Sequence, residues 1–285
     1  MTKEYIKSPM NYIGNKYRIL EQIQCYFPKK INTMVDLFCG GCDVTINTKA
    51  NQNYANDINY HVIEIFSEFQ KHSSDYILGY IDGTIDKWNL SKTDLDAYLK
   101  FREHYNQTRA PLDLYVLMCF SFNYQFRFNS KHEFNNPFGK NRSSFNSVMR
   151  NNLQKIVERI CDVHFTSQDF HLFNYDILKK DDFLYADPPY LITCGTYNDG
   201  KRGFKGWTDK DEIDLYNILS DLDKSGVKFA LSNVIEHKGI KNNILEDWCA
   251  QHNYYLHDIK FNYKNCNYHT KNTDKITREV LITNY

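Results

Sequence analysis

The sequence predicts an α/β protein, because short apolar runs typical of buried strands alternate with segments of helical periodicity. The run at residues 33–38 leads into Gly40 and Gly41, which end a strand. The run at residues 183–186 leads directly into two prolines. Similar runs predict strands at residues 53–57, from about residue 163, and at residues 227–233 and 279–283.

The middle of the chain, residues 60–162, interrupts this alternation. It begins with helical patterns and continues as an irregular polar stretch. This change of sequence pattern predicts an inserted domain. The α/β domain would then consist of residues 1–59 and 163–285. Apolar spacing predicts helices at residues 60–70, 92–106, 112–121 and, in the α/β part before Gly226, 209–224.

Composition limits the classes of function. The 285 residues contain 35 Lys and Arg against 35 Asp and Glu, so a nucleic-acid surface would have to be a local basic patch. No apolar stretch approaches the roughly 20 residues of a membrane span. The amino-terminal residues lack the apolar core of a signal peptide. We therefore expect a cytoplasmic protein with no membrane partner.

The eight cysteines do not predict a metal site. Only Cys39 and Cys42 have the C-x-x-C spacing, and no second pair accompanies them to complete a zinc site. A thioredoxin-like redox site is the alternative, and it would need a helix that opens at Cys39. We expect free thiols in a glycine turn.

The turn after the first strand, Phe38-Cys39-Gly40-Gly41, has the features of a nucleotide-binding loop. Its glycines let backbone N–H groups approach a ligand where a side chain would obstruct it. Asp57, at the end of the second strand, is placed to bind ribose hydroxyls. The alternatives are a tight connection without a ligand, and an Asp57 that caps the following helix.

The segment Asp187-Pro188-Pro189-Tyr190 follows a buried strand. Two prolines restrict the backbone, so that Asp187 and Tyr190 project in a set geometry. The Asp187 carboxylate and the Pro188 carbonyl can accept hydrogen bonds from an exocyclic amine, and Tyr190 can stack on a planar base. The alternative is a turn without chemistry.

These segments, taken in order, resemble blocks of the Dam-like DNA adenine-N6 methyltransferases, which use S-adenosyl-L-methionine. Residues 38–41 resemble the F-x-G-x-G cofactor loop, and residues 187–190 resemble the D-P-P-Y motif. Residues 127–139 (RFNSKHEFNNPFG) resemble the target-recognition segment. Residues 10–16 (MNYIGNK) are similar to the amino-terminal block that closes over the cofactor, and residues 277–282 to the last hairpin.

The resemblance implies a fold, a cofactor and its contacts. The fold would be a mixed seven-stranded, Rossmann-like sheet with an inserted, mainly helical target-recognition domain that carries a β-hairpin. The cofactor would be S-adenosyl-L-methionine. Its contacts would be Tyr12, Lys16, Phe38, Gly40, Gly41, Asp57, Asp176 and Asp187.

The resemblance also implies a mechanism without a metal. The target base would be flipped out of the duplex. Asp187 and the Pro188 carbonyl would accept the N–H bonds of adenine N6 and direct its lone pair toward the sulfonium methyl group. Pro189 would complete the rigid turn, and Tyr190 would stack on the base.

Three positions depart from the family pattern. Cys42 stands where many relatives have the last glycine of the cofactor loop, and Asn15 where many have a second glycine of the amino-terminal block. We expect Cys42 to be tolerated unless its position requires a positive φ. His132 replaces the turn glycine of the recognition segment, which predicts a hairpin of different shape.

The DNA-binding patch is predicted within residues 122–150. This stretch contains five Lys and Arg residues but one acid, Glu133, and its aromatics are interleaved with polar side chains. The predicted base-reading residues are Asn123, Gln125, Arg127 and Asn129, and the predicted phosphate-binding residues are Lys140 and Arg142. The alternative is a solvated hairpin whose phenylalanines pack on the inserted domain.

The leading functional hypothesis is a site-specific DNA adenine-N6 methyltransferase. One alternative keeps the cofactor but changes the acceptor to cytosine N4, RNA adenine or a glutamine amide. A second alternative is a catalytically silent DNA-binding regulator. The sequence leaves the target open between GATC, CATG and other short sites. The expected partners are double-stranded DNA and a separately acting restriction endonuclease, and the expected state is a monomer.

Overall fold

The computed structural model describes residues 4–193, 206–260 and 277–285, in which eight strands form one sheet. The strands are β1 (Thr33–Asp36), β2 (Gln52–Asn56), β3 (Val163–Thr166), β4 (Phe183–Ala186), β5 (Lys228–His237), β6 (Ile240–Lys241), β7 (Tyr255–Ile259) and β8 (Thr277–Thr283). Seven of them follow one another in the order β3-β2-β1-β4-β5-β8-β7. The two-residue β6 pairs with β5 alone.

The sheet is mainly parallel. β1 to β5 form parallel pairs, whereas β8 is antiparallel to β5 and to β7. The chain moves outward from β1 through β2 to β3, and then returns to β4 on the other side of β1. The carboxyl ends of β1 and β4 therefore flank the point where the strand order reverses, which is where open α/β sheets bind ligands. The predicted mixed α/β sheet is confirmed.

Nine α-helices lie within the described ranges. They are α1 (Leu20–Gln24), α2 (Asp43–Asn47), α3 (Tyr60–Lys71), α4 (Ser74–Trp88), α5 (Leu95–Thr108), α6 (Pro111–Phe120), α7 (Ser147–Ile160), α8 (Asp209–Lys224) and α9 (Asn243–His252). The predicted helix over 92–106 begins later, at Leu95, because the Asp94 side chain accepts a hydrogen bond from the Ala97 N–H and caps it. The sequence does not predict α4, whose Gly79 and Gly83 weaken the helical pattern.

Helices α3, α4 and α5 pack around α6, and α7 packs on α3 and α4. Every residue of α6 from Leu112 to Phe120 is buried. The cluster of buried side chains around it also contains Cys42, beside the end of β1, and Ala55 of β2. The helices therefore share their hydrophobic core with one face of the sheet. The division of the chain at residues 59/60 and 162/163 stays a prediction.

The segment at residues 121–146 is not the regular β-hairpin that the resemblance implies. It is closed by isolated antiparallel bridges between Ser121 and Phe138 and between Phe128 and Phe134. Between these bridges six residues on one side face three on the other, so no continuous ladder forms. Asn106 of α5 binds the outer edge of Phe134, where it accepts the N–H (2.7 Å) and donates to the carbonyl (3.1 Å).

The cysteines of the described ranges are free thiols, as expected, and Cys39 and Cys42 are buried. The helix that a redox site would need at Cys39 begins later, at Asp43. Cys194 and Cys266 lie outside the described residues. In the same ranges no group of three or more His, Cys, Asp or Glu side chains could hold a metal ion. None of the helices there is both long and apolar enough to cross a membrane.

A buried carboxylate at the amino ends of β1 and β4 yields a test of this fold. Asp182 is 3% exposed and accepts the backbone N–H groups of Thr33 and Lys179, both at 2.9 Å. We predict that Asp182→Ala lowers the free energy of unfolding by about 2–3 kcal/mol, because it leaves one buried and one partly buried N–H group without their partner. Denaturant unfolding measures this. Asp247→Ala, on the exposed face of α9, is the control and should change the value by less than about 0.5 kcal/mol; equal effects would contradict the prediction.

Candidate active site

The glycine turn after β1 is held by the carboxylate of Asp57. Its Oδ2 accepts the Gly40 N–H at 2.9 Å, and its Oδ1 accepts the Asn59 N–H at 2.8 Å. Burial raises the pKa of Asp57, the two N–H groups oppose this, and the nearby Asp187 adds to it. Asp57 thus joins the turn to the start of α3. It does not form the helix cap itself, since the residue that precedes α3 is Asn59.

Cys42 adopts the left-handed conformation, with φ at 59° and ψ at 22°. The position therefore requires the positive φ that the family glycine would supply. Cys42 is fully buried, and its backbone N–H donates to the Cys39 carbonyl at 2.6 Å. The turn keeps its shape with a cysteine at this position, at a cost of about 1–2 kcal/mol in backbone strain.

The amino-terminal block lies directly on the glycine turn. A Cβ atom placed on Gly40 would lie 2.8 Å from Tyr12 Cδ1, and one on Gly41 would lie 3.1 Å from Tyr12 Cβ. The Asn59 amide is 3.4 Å from the Tyr12 hydroxyl. The structure therefore brings together Tyr12, both glycines and Asp57.

The D-P-P-Y segment meets the same block from the other side. Lys16 Nζ lies 2.7 Å from Asp187 Oδ2 and donates to the Gly14 carbonyl at 3.0 Å. The Tyr190 hydroxyl donates to Asp187 Oδ1 at 3.0 Å. Burial raises the pKa of Asp187, and Lys16 opposes the rise. Both oxygens of the predicted catalytic carboxylate thus have partners.

Two further acids of the site do not follow from motif reasoning. Glu279 of β8 is 6% exposed, and its Oε1 lies 3.0 Å from the Tyr190 hydroxyl and 3.9 Å from Lys16 Nζ. Asp36, the last residue of β1, is 1% exposed and accepts the Thr45 hydroxyl at 2.6 Å. Its Oδ1 has no hydrogen-bond partner. Burial raises the pKa of Asp36 to about 7.

The crevice is therefore rich in negative charge. Asp36, Asp57, Asp187 and Glu279 are all on its walls, and in the described ranges Lys16 is the cation that contacts two of them. Such a site fits a cationic ligand, because a positive charge would compensate carboxylates that have little access to water.

An aromatic group borders the glycine turn. The ring centroid of Phe38 lies 5.6 Å from Phe170 and 5.7 Å from Trp207, and Phe170 lies 5.3 Å from Trp207. Trp207 Nε1 donates to the buried Glu212 at 2.6 Å, which fixes the indole. The three rings pack on one another, and together they present an aromatic surface suited to a planar base.

Asp176, which the resemblance assigns to the cofactor's adenine, is exposed. Its backbone N–H donates to the Asn174 side chain at 3.1 Å, and its carbonyl accepts from Lys179 Nζ at 2.8 Å. Its role stays a prediction. Asp169, which sequence reasoning missed, directly precedes Phe170 of the aromatic group, and its carboxylate accepts the His171 N–H at 3.0 Å.

Comparison with known proteins assigns the family. Residues 12–268, nearly the whole chain, match the sequence profile described as D12 class N6 adenine-specific DNA methyltransferase. The chain belongs to this family. The resemblance to Dam-like methyltransferases is thereby confirmed.

Named relatives extend along the whole chain. It is 51% identical to the modification methylase StsI of Streptococcus sanguinis and 46% identical to the type II methyltransferase M.FokI of Planomicrobium okeanokoites, with 100% of this chain covered in both. It is 24% identical to the DNA adenine methylase of Escherichia coli K12, over 79% of each chain. The chain spans 44% of the length of the first two relatives.

The predicted base-reading residues differ in how far hydrogen bonds within the protein already occupy their side chains. Arg127 is exposed, and Asn135 holds its guanidinium through Nε (2.9 Å) and a terminal nitrogen (2.8 Å). Asn129 Oδ1 instead accepts two N–H groups of its own turn, those of Lys131 and Glu133. Asn129 therefore shapes the turn, whereas Arg127 is presented at the surface.

The remaining candidates lie around the same segment. Asn123 is exposed with φ at 55°, and its carbonyl accepts the Asn11 amide at 2.8 Å, which joins this segment to the amino-terminal block. Gln125 is partly buried. Lys140 and Arg142 are exposed, and their phosphate contacts stay a prediction.

The phenylalanines of this segment divide between core and surface. Phe126, Phe128 and Phe134 are buried, which agrees with the alternative that they pack on the neighbouring helices, whereas Phe122 is exposed. His132 has φ at 56°, in the left-handed region that favours glycine.

The glycine turn provides a matched pair of substitutions. We predict that Gly40→Ala lowers the free energy of unfolding by about 2 kcal/mol, because its Cβ would collide with Tyr12 and its φ of +46° disfavours a side chain. Gly79→Ala, where nothing lies within 4 Å of an added Cβ and the backbone is helical, should raise it by about 0.5–1 kcal/mol. Thermal unfolding compares the two, and a tolerated alanine at Gly40 would contradict the packing described.

A buried histidine predicts a pH dependence. His61 of α3 is 3% exposed, stacks on Phe128 at 4.1 Å, and its Nε2 has no hydrogen-bond partner. Burial, with His132 and Arg109 nearby, lowers the pKa of His61 to about 4. Since the unfolded chain binds this proton near pH 6.5 and the folded chain only near pH 4, the stability due to neutral His61 is complete above about pH 6.5 and falls as the pH approaches 4.

The change to measure is the pH slope of the free energy of unfolding. From about pH 7.5 to about pH 5 the wild type should lose about 2 kcal/mol more than His61→Phe, which keeps the ring stack but does not titrate. Denaturant unfolding at both pH values gives the difference. Equal losses of unfolding free energy in the two proteins would contradict the prediction, because they would show that the fold does not lower the pKa of His61.

Proposed function

We propose that this chain is a site-specific DNA methyltransferase that transfers a methyl group from S-adenosyl-L-methionine to adenine N6 in duplex DNA. The observation that carries the proposal is the shared crevice. Lys16 of the amino-terminal block contacts Asp187 at 2.7 Å, while Asp57 holds the Gly40 N–H at 2.9 Å. The ends of β1 and β4 lie side by side, since the Leu37 N–H donates to the Tyr185 carbonyl at 2.9 Å.

The crevice suits this cofactor. S-adenosyl-L-methionine carries a sulfonium and an ammonium group, which complement the carboxylates on the walls. We assign the ribose to Asp57 and the adenine ring to the aromatic group. The backbone of Gly40 and Gly41 would let the ligand approach closely. Tyr12 and Lys16 would cover the site. Phe38 would border the adenine, with Asp176 or the better-placed Asp169 accepting the adenine amine.

The D-P-P-Y segment would hold the target base. Asp187 and the Pro188 carbonyl accept the N6 hydrogens, and the rigid backbone through Pro189 keeps both acceptors in place. Tyr190 would stack on the flipped adenine and offset part of the few kcal/mol that base flipping costs. The N6 amine must displace Lys16 from Asp187. Glu279, 3.9 Å from Lys16 Nζ, is placed to hold the displaced ammonium group of Lys16. The cofactor supplies the activated methyl group when bound.

Residues 60–162 are the proposed target-recognition region. The exposed Arg127 is the proposed reader of a guanine edge, and Asn123 and Gln125 are the proposed readers of adjacent bases. Asn129 would contribute by fixing the turn. Lys140 and Arg142 would hold phosphates.

The relatives support a role in DNA modification. Two of them are named as a modification methylase and a type II methyltransferase. We propose the same role for this chain, as a monomer in the cytoplasm whose target site is also recognised by a separate restriction endonuclease. Sequencing of DNA from a methylation-free host that expresses the protein, by a method that detects N6-methyladenine, identifies the target.

The decisive test is labelling of duplex DNA with radiolabelled cofactor. Asp187→Ala should lower the transfer rate by at least about 10³-fold, because the amine loses its charged acceptor. Asp57→Ala should weaken cofactor binding by about tenfold or more with a smaller effect on the rate of bound enzyme. Thermal unfolding shows whether both variants fold.

The labelled product decides between the acceptors. Digestion to nucleosides should yield N6-methyladenine; N4-methylcytosine, or labelling of RNA alone, would replace the proposed substrate. Full activity in Asp187→Ala would contradict the mechanism. DNA binding without cofactor binding by the wild type would favour a silent regulator.

A further inference from the structure

Asn135 binds one edge of the Arg127 guanidinium. Arg127 Nε donates to Asn135 Oδ1 at 2.9 Å, and the terminal nitrogen Nη2 donates to the Asn135 carbonyl at 2.8 Å. The two backbones are joined as well, since the Asn135 N–H donates to the Arg127 carbonyl at 2.9 Å. The two side-chain bonds fix both the plane and the direction of the guanidinium.

This contact leaves the opposite edge of Arg127 for a ligand. A guanidinium has five N–H groups, and it can make a two-bond contact either through Nε and one terminal nitrogen or through both terminal nitrogens. Asn135 takes the first of these edges. The two terminal nitrogens then remain to donate in parallel, as a contact with guanine O6 and N7 requires.

Both acceptors that Asn135 offers are neutral oxygens, one from an amide and one from a peptide group. They orient the guanidinium without cancelling its charge. A carboxylate at the same place would form an ion pair with Arg127 and repel nearby phosphates. Arg127 is therefore fixed in direction and is still a full positive charge at the exposed surface of the segment.

The backbone of Asn135 is itself restrained, because both of its chain neighbours are bound to helix α5. Phe134 is 1% exposed, and Asn106 binds its N–H at 2.7 Å and its carbonyl at 3.1 Å. Asn136 is 4% exposed, and its carbonyl accepts the Tyr98 hydroxyl at 2.8 Å. Asn135 thus holds Arg127 from a fixed point on the helical core.

We propose that Asn135 is a positioning residue for sequence recognition, which orients Arg127 so that its two terminal nitrogens face a guanine edge. The inference rests on the proposed function, in which Arg127 reads a guanine. An unrestrained arginine loses rotamer freedom when it binds, and a side chain that is already held loses less. Asn135 thereby increases discrimination at a base pair that it does not itself contact.

The first measurement is the methylated motif. The wild type and Asn135→Ala are expressed in a methylation-free host, and sequencing that detects N6-methyladenine shows which sites each protein methylates. We expect Asn135→Ala to accept other bases at one guanine position of the wild-type motif and to keep the remaining positions. Arg127→Ala should relax the same position. Asn217→Ala, the same change at an exposed position of α8, is the matched control and should keep the wild-type motif.

Rates on oligonucleotides give the size of the effect. Replacement of that guanine by 7-deazaguanine removes the N7 acceptor and keeps the base pair. The wild type should lose about tenfold or more in kcat/KM on this substrate, and Asn135→Ala about twofold or less, because its guanidinium no longer makes both bonds. The double variant should discriminate no worse than Arg127→Ala alone, since both changes remove one contact.

Asn135→Asp separates orientation from charge. Aspartate keeps the oxygen that accepts from Nε but adds a negative charge beside Arg127. We expect the variant to keep the preference for guanine, while its KM for DNA rises by about fivefold or more and depends less steeply on salt. Thermal unfolding is measured for every variant. If Asn135→Ala does not fold, Asn135→Ser, whose shorter side chain cannot reach Nε, takes its place.

The outcomes keep the two proposals apart. A wild type that methylates no DNA contradicts the proposed function itself. A methylating wild type whose motif lacks a G·C pair, or an Asn135→Ala variant with the wild-type motif and the full 7-deazaguanine penalty, overturns the role of Asn135 alone. An equal loss of rate on every substrate would also overturn it, because it indicates support of the fold. Relaxation at a position other than that of Arg127 would show that Asn135 reads a base itself.

Discussion

The parallel pairing of β1 with β4 is the constraint on which the site depends. Their register, continued by the bond from the Leu37 N–H to the Tyr185 carbonyl, ends both strands at the same level of the sheet. Two segments about 150 residues apart in sequence, the glycine turn and the D-P-P-Y segment, are thereby placed side by side. The amino-terminal block then spans them, with Tyr12 on one and Lys16 on the other.

The charge of the crevice follows from this convergence. Asp36 and Asp187 lie at the ends of β1 and β4, beside Asp57 at the end of β2 and Glu279 in β8. Burial limits the water that could screen these four carboxyl groups. Such a space repels the phosphate backbone of DNA. The proposed ligands, a neutral flipped base and a positively charged methyl donor, would enter it at a lower electrostatic cost than a phosphate group.

Local motifs predicted the part of the site that lies within a few residues of a strand end. Asp57, Asp187 and Tyr190 follow this rule, because the turn that presents each one is encoded beside it. Asp36 and Glu279 were missed for a different reason. Their roles arise from strand register and from burial, which bring together residues more than 80 positions apart and which no short pattern records.

The same distinction holds for the fold. The strands with continuous apolar runs, such as β4, were predicted with their bounds, whereas α4 was missed because its glycines face open space and weaken the periodic signal. The prediction of a regular hairpin in the recognition segment was wrong because six residues on one side of its two bridges face three on the other, and Asn123 and Tyr124 adopt a positive φ. A short motif carries local preference but does not record the register in which two segments pair.

The two thiols of the glycine turn have a practical consequence for chemistry on this protein. Burial raises the pKa of both Cys39 and Cys42, so each is kept as the neutral, poorly nucleophilic form. Among the cysteines that the structure describes, Cys25 and Cys161 are exposed, and alkylating dyes should reach these two before the buried ones. A fluorophore can therefore be attached at the periphery while the glycine turn remains unmodified.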